Sequence, residues 1–330
     1  MLPTDGLGIV SAVARVVIVG AGAVGLFYGA RLAAAGHDVV FVARRELEAL
    51  RQRGLELRSP EGDLRLSTVA AVGYGEPVVP PADLLLCTLK TTALDVAAEL
   101  CAPAVGPGTR VVALMNGLDV EAPLAERFGA ARVFGVMAFV GVHREEPGVV
   151  RHVAYGRVTV GHLLDDRTEA EHVAELFRSA GIEAVVAPSL RYARWEKLCW
   201  NVPFNGLSVA ADGADTATIL ADEELRRLAE RAMREVVATA NADLAARGAE
   251  ERFVADDVVS RLFAQTVALG PYRTSMLIDY EHGRPLEVEA ILGNPVRRAR
   301  ELHLEVPTME ALYALVRARD RRLARDREAR

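Results

Sequence analysis

The sequence predicts an α/β protein in which an N-terminal domain of alternating strands and helices is followed by an all-α C-terminal domain. Three observations carry this expectation. Short β-branched and leucine-rich runs recur through the first 186 residues, each long enough for a buried strand. The first run is followed at once by Gly20-Ala21-Gly22-Ala23-Val24-Gly25, a helical pattern and a second run. After Pro188 the strand signal stops and long charged amphipathic segments take over. A chain of 330 residues is longer than one typical domain, and Pro188 divides it into 1–187 and 188–330.

Val16-Val17-Ile18-Val19 reads as the first strand, Leu26 to Ala35 as a helix closed by Gly36, and Asp38 to Val42 as the second strand. In that setting each glycine of a GxGxxG turn has its own role, in the tight turn, the close approach of a pyrophosphate, or helix–strand packing. The helix N-terminus adds free N–H groups and a positive dipole end. The first domain is therefore expected to be a Rossmann-type dinucleotide-binding domain, with Gly20, Ala21, Gly22, Ala23, Val24 and Gly25 at the phosphates. The second strand ends Ala43-Arg44-Arg45, where an NAD-binding chain usually places an acid for the ribose hydroxyl. Two guanidiniums suit a 2′-phosphate, so the expected cofactor is NADPH/NADP. Glu46 follows both arginines and is assigned to the next helix.

Further along, Leu55 to Arg58 and Leu64 to Thr68 flank Pro60 to Asp63 as a hairpin or loop excursion. Asp83 to Thr88 is another buried strand, with Lys90 just past its C-terminal end. Val111 to Met115 is the next, followed by Asn116-Gly117. Ligands of open α/β sheets sit beyond the carboxyl ends of the strands, which favours Lys90 and Asn116 as site residues. Asn-Gly is also ordinary turn chemistry. From Val133 to Gly161 the pattern is strand-like without helices. Val133 to Val140 is one run, and Val149 to Val153 and Arg157 to Gly161 read as a hairpin around Ala154-Tyr155-Gly156. Arg167 to Ala180 is a helix and Ile182 to Val186 a last strand.

In the second half, Lys197, Asn201 and Asn205 recur every four residues, which stacks them on one face of a helix among Trp195, Leu198, Trp200 and Phe204. Of 39 Lys+Arg residues only Lys90 and Lys197 are lysines. An ammonium can shift its pKa and give up a proton, which a guanidinium effectively cannot. Pro203, between the two asparagines, is expected to kink this helix. Asp222 to Arg247 and Asp256 to Leu269 are amphipathic helices. Ser275 suits an N-cap. Pro285 suits the first turn of a helix carrying Glu287, Glu289 and Ile291, which Pro295 interrupts. The arginine-rich end alternates with acids and reads as a solvated face. The long helices of this half are the candidates for a homodimer surface.

A net charge of −6 argues against a nucleic-acid partner. Cys87, Cys101 and Cys199 have neither metal nor CxxC spacing, which fits a reduced cytoplasm and no metal. No apolar run is long enough for a membrane span, and MLPTDGLGIVSAVA reads as a short extension rather than a signal peptide.

Six motifs stand in series along nearly the whole chain: GAGAVG with Tyr28-Gly29, VARR, TLK at Lys90, MNGL at Asn116, WEKLCWNVPFN, and SMLIDYEHGRPLEVE. The set resembles the ketopantoate reductase (2-dehydropantoate 2-reductase) family. That resemblance implies NADPH-dependent reduction of 2-dehydropantoate to (R)-pantoate, toward pantothenate and coenzyme A, or the same chemistry on another branched or hydroxylated 2-oxo acid. It implies Lys197 as the catalytic acid and Glu287 as a second catalytic group. It makes Asn116, Asn201, Asn205 and Ser275 substrate ligands, Lys90 and Asn116 cofactor ligands, and Arg44 the reader of the 2′-phosphate, with the substrate in the cleft between the domains. The chemistry agrees: hydride arriving at C2 leaves an alkoxide, which an ammonium stabilises and protonates. Gly206 departs from the proline common in the family. The β-hydroxyacid dehydrogenases, which also join such a domain to a helical one and use a lysine, are the neighbouring enzyme class. A non-catalytic NADPH sensor would be expected to lose Lys197 or Glu287.

Overall fold

A computed structural model describes residues 13–329, so most of the expected N-terminal extension lies outside the described residues. The chain forms two compact units. One comprises the described residues up to Leu89, then Val96–Leu114 and Arg127–Val186; the other comprises Lys90–Asp95, Met115–Glu126 and the chain from Ala187 on.

In chain order the first half forms β1 (Arg15–Val19), α1 (Ala23–Ala34), β2 (Asp38–Ala43), α2 (Leu47–Arg53), β3 (Leu55–Arg58), β4 (Leu64–Leu66), β5 (Ala70–Gly73), β6 (Leu84–Cys87), α3 (Leu94–Cys101), β7 (Arg110–Ala113), α4 (Ala122–Phe128), β8 (Val133–Glu146), β9 (Val149–His162), α5 (Arg167–Ser179) and β10 (Ala184–Val186). The strands make one mixed sheet in the order β4-β3-β9-β8-β7-β6-β1-β2-β5, with β10 on β9. β1 pairs in parallel with β2 and β6, β6 with β7, and β7 with β8. β1, buried along Val16–Val19, and β6, buried along its whole length, are covered on both faces, which is why they read as unbroken apolar runs rather than alternating ones.

Two expectations change here. The segment around Tyr155 is not a hairpin: β9 runs straight through it, antiparallel to β8, and the reversal lies at Pro147-Gly148. Tyr155 (φ +62°) and Gly156 (φ +136°) put their left-handed backbone into a bulge, where the register steps from Phe139↔Arg157 to Val140↔Tyr155. The sheet also gains β5, a short edge strand too poor in β-branched residues to announce itself.

The second half forms α6 (Leu190–Ala210), α7 (Thr216–Ala221), α8 (Glu223–Ala246), α9 (Ala255–Leu269), α10 (Ser275–Glu281), α11 (Asn294–Glu301) and α12 (Pro307–Glu328). Ser189 caps α6 and Asp222 caps α8. α6 is buried nearly all round, the signature of a central helix. Pro203 lies inside it without ending it, so the four-residue spacing from Lys197 to Asn205 is helical after all. Gly206 has a packing reason: a Cβ there would stand 3.2 Å from Leu312 of α12. Pro285 and Glu287 precede the next helical segment rather than belonging to it. Pro295 does not break that segment either, which is wound as a π-helix over Glu289–Gly293 and continues into α11. Among the described residues no helix is long and apolar enough to cross a membrane.

α1 packs closely on β2 because Gly29 has no side chain; a Cβ would run into the Phe41 ring. Gly29→Val is expected to cost about 1–3 kcal/mol by overpacking, read as a lower Tm. An unchanged Tm would mean that this contact is soft.

Candidate active site

In the first unit the three glycines divide the expected work. Gly20 holds φ +103°, and a Cβ there would stand 2.9 Å from the Leu89 amide nitrogen. Gly25 is crowded by Thr88, whose hydroxyl donates to the Gly20 carbonyl at 2.5 Å. Gly22, exposed at the N-cap of α1, faces open space, with nothing within 4 Å of where a Cβ would stand. Beside it Ala23, Val24 and Gly25 begin a helix with no side-chain cap, leaving first-turn N–H groups for an anion. This donor set fits the pyrophosphate of a dinucleotide.

Arg44 and Arg45 are exposed at the end of β2. Glu46, the residue that argued for NAD, is buried and committed: it accepts from Arg144 at 2.5 Å and from the Gly148 N–H at 2.8 Å. Burial pushes the Tyr74 phenol up, partly offset by the Arg44 guanidinium nearby.

In the second unit Lys197, Asn201 and Asn205 lie along α6. Lys197 is half-buried, and burial lowers its pKa to about 7. The Arg194 guanidinium adds to the lowering, and the Glu287 carboxylate opposes it. Asn201 and Asn205 are buried, and the Asn205 carboxamide oxygen has no hydrogen-bond partner, an open acceptor position in the interior. Glu287 is held from the other side. The Thr91 N–H donates to it at 2.9 Å, the Thr91 hydroxyl at 3.0 Å, and the Asn116 Nδ2 approaches it at 3.5 Å. Lys90 pairs with Asp279, a buried carboxylate of α10 that also binds Arg284 at 2.9 Å. Ser275 is exposed at the first turn of α10 and is not its cap; Thr274 caps it, accepting from the Leu277 N–H at 3.2 Å.

Thus Lys90, Asn116, Lys197 and Glu287 all belong to the second unit, with Asn201 and Asn205 on the same helix as Lys197. Gly20 to Gly25 and Arg44 belong to the first. Sequence reasoning missed Thr91, Arg194 and Asp279. The repeated threonine after Lys90 and the aspartate four residues after Ser275 were the available signals.

Two buried networks hold α6 in place. Arg194 donates to Glu121 at 2.8 Å and to the Met115 carbonyl. Asp243, fully buried on α8, takes Arg191 of α6, the Trp195 indole N–H at 2.8 Å, Arg298 at 2.7 Å and Arg247 at 3.1 Å. Burial alone would raise the Asp243 carboxyl, but Arg191, Trp195 and Arg298 hold it down at about 2.

The comparison with known proteins decides the family. The description "Ketopantoate reductase PanE/ApbA" matches residues 16–165, and its C-terminal counterpart matches residues 189–320. The chain belongs to the ketopantoate reductase family. It is 36% identical over 305 residues to the 2-dehydropantoate 2-reductase of Nostoc sp., covering 90% of this chain and 92% of that one. The Mesorhizobium japonicum 2-dehydropantoate 2-reductase is 34% identical over 326 residues, covering 92% and 97%. The crystal structure of the Geobacter metallireducens 2-dehydropantoate 2-reductase superposes with a TM-score of 0.87 at 41% identity, covering 92% of this chain and 99% of that one. D-mandelate dehydrogenase, solved with NADH, shares the fold at 20% identity and a TM-score of 0.82.

Asp243→Ala removes the buried carboxylate that Arg191, Arg247, Arg298 and the Trp195 indole N–H share, and is expected to destabilise the protein by about 3–5 kcal/mol in a denaturant titration. The depressed carboxyl also sets a pH window. Its stabilisation is complete above an unfolded pKa near 3.8 and is lost as pH falls through about 2. In the wild type this acid-side loss is expected to be larger than in Asp243→Asn, where the group cannot titrate.

Proposed function

We propose that this chain reduces 2-dehydropantoate to (R)-pantoate with NADPH, Lys197 serving as general acid to the C2 oxygen. The names borne by the Nostoc and Mesorhizobium relatives support the substrate. The observation that carries the mechanism is Lys197 itself, a lysine brought to about 7 by burial and set against Glu287. A general acid is most effective when its pKa lies near the working pH.

NADPH, when bound, supplies the hydride. The α1 N-terminus and Gly22 would hold its pyrophosphate and Arg44 its 2′-phosphate, with Lys90 and Asn116 as further ligands. Glu46 is no competitor for a ribose hydroxyl, because Arg144 and Gly148 already occupy it. Lys197 then stabilises the alkoxide forming at C2 and gives it a proton. Glu287, fixed by Thr91, keeps part of Lys197 charged at neutral pH against burial and Arg194. Asn116, Asn201, Asn205 and Ser275 orient the substrate, whose carboxylate and hydroxyls need donors and acceptors of this kind. The product would serve pantothenate and coenzyme A synthesis in the cytoplasm. A homodimer formed through the long helices of the second unit belongs to the same reading.

Lys197→Ala is expected to lower kcat by at least about 10²-fold, the share of a lost general acid, with NADPH affinity nearly unchanged. Near-normal turnover would end the mechanism. The protonated lysine is the reactive form in reduction, so kcat/KM for the 2-oxo acid should fall as pH rises through about 7. Glu287→Gln removes the charge that raises the lysine pKa and should shift that limb to lower pH. For the cofactor, Arg44→Ala should raise the KM for NADPH while leaving NADH kinetics nearly unaltered. A wild type that prefers NADH would contradict the assignment.

A further inference from the structure

The π-helix between Glu287 and α11 changes which backbone groups are satisfied. Over Glu289–Gly293 the Asn294 N–H donates to the Glu289 carbonyl, five residues back. In the same register the Ala290 carbonyl would receive the N–H of residue 295, and Pro295 has none. Its α-helical donor, the Asn294 N–H, is already committed. Ala290 is therefore left with an acceptor that its own helix cannot fill.

Leu118 fills it, its N–H donating to the Ala290 carbonyl at 2.9 Å. The Asn294 side chain returns the contact, donating to the Leu118 carbonyl at 2.6 Å. Gly117 (φ +108°) lies flat against the seat: a Cβ there would stand 2.5 Å from the Ala290 Cβ and 2.6 Å from its oxygen. At the other end of the turn Arg194 holds the Met115 carbonyl. Asn116 is what this clamped turn presents, and its Nδ2 faces Glu287 at 3.5 Å.

We infer that Pro295 is a positioning residue for the reduction: by leaving the Ala290 carbonyl without a helical donor, it creates the seat that docks Leu118 and sets Asn116 against Glu287. This rests on the roles proposed above for Asn116 and Glu287. It also accounts for a proline and a π-turn persisting in a helix where alanine and a regular winding would be intrinsically better.

The test is Pro295→Ala, which restores an N–H able to compete for the Ala290 carbonyl. Hydrogen exchange at the Leu118 amide in the ligand-free protein should accelerate at least about 10-fold, without a fall in Tm. With NADPH and 2-dehydropantoate, kcat/KM should drop about 10-fold or more. In an Asn116→Ala background, Pro295→Ala should add little further loss. Unchanged exchange at Leu118 would overturn the seat whatever the enzyme does, and a lowered Tm would make Pro295 a plain structural residue. Accelerated exchange with an equal kinetic loss in both backgrounds would overturn the link to Asn116. A wild type inactive on every 2-oxo acid would instead refute the proposed function, leaving the exchange result to judge the seat alone.

Discussion

The structure of the second unit turns on one ammonium kept where charge is disfavoured. Burial that lowers a lysine from 10.5 to about 7 destabilises the fold as long as the group is charged in the native state and in the unfolded chain alike. That cost shrinks as pH climbs from about 7 toward 10.5 and the native group stays neutral while the unfolded one still binds its proton. A chain tolerates such a group only where the surrounding scaffold is over-determined. α6 meets that requirement. It is central, capped by Ser189, and tied through Arg191 and Trp195 to the buried Asp243.

The residues tied together in this unit come from separate stretches of sequence. Thr91 fixes the Glu287 carboxylate, the turn at Met115 to Leu118 is clamped by Arg194 and by the π-wound segment, and Asp279 holds Lys90. Two of these attachments join backbone to side chain, one joins backbone to backbone and one is an ion pair to the buried Asp279; such bonds are directional and costly to leave unmade where a partner is buried. Their combined effect is to hold the Glu287 carboxylate and the turn that carries Asn116 with little freedom, the kind of preorganisation on which electrostatic catalysis relies.

Much of this was legible in the sequence, for physical reasons that differ by element. The β1–turn–α1–β2 unit announces itself because buried parallel strands must be apolar throughout and Gly20 and Gly25 leave no room for a side chain. Lys197, Asn201 and Asn205 were legible as a helical face, and Pro203 lies inside that helix without ending it. The misreadings are equally instructive. Tyr155-Gly156 carries turn chemistry, yet a left-handed pair fits a bulge as well as a reversal, and only the partner strand decides which. Pro295 looked like a helix breaker because sequence rules assume an α-register; the π-register makes its missing N–H useful. Thr91, Arg194 and Asp279 were missed because their roles exist only through partners distant in sequence, which the short-range signals at Thr91 and Asp279 do not name.

Lys90 and Lys197 are the only lysines in the chain, so NMR of protein labelled with ¹⁵N at the lysine Nζ offers a direct view of the central group. In the ligand-free protein, one of the two signals should titrate near pH 7 and be absent from Lys197→Ala. Two signals that both titrate near the ordinary lysine value of about 10.4 would contradict the account.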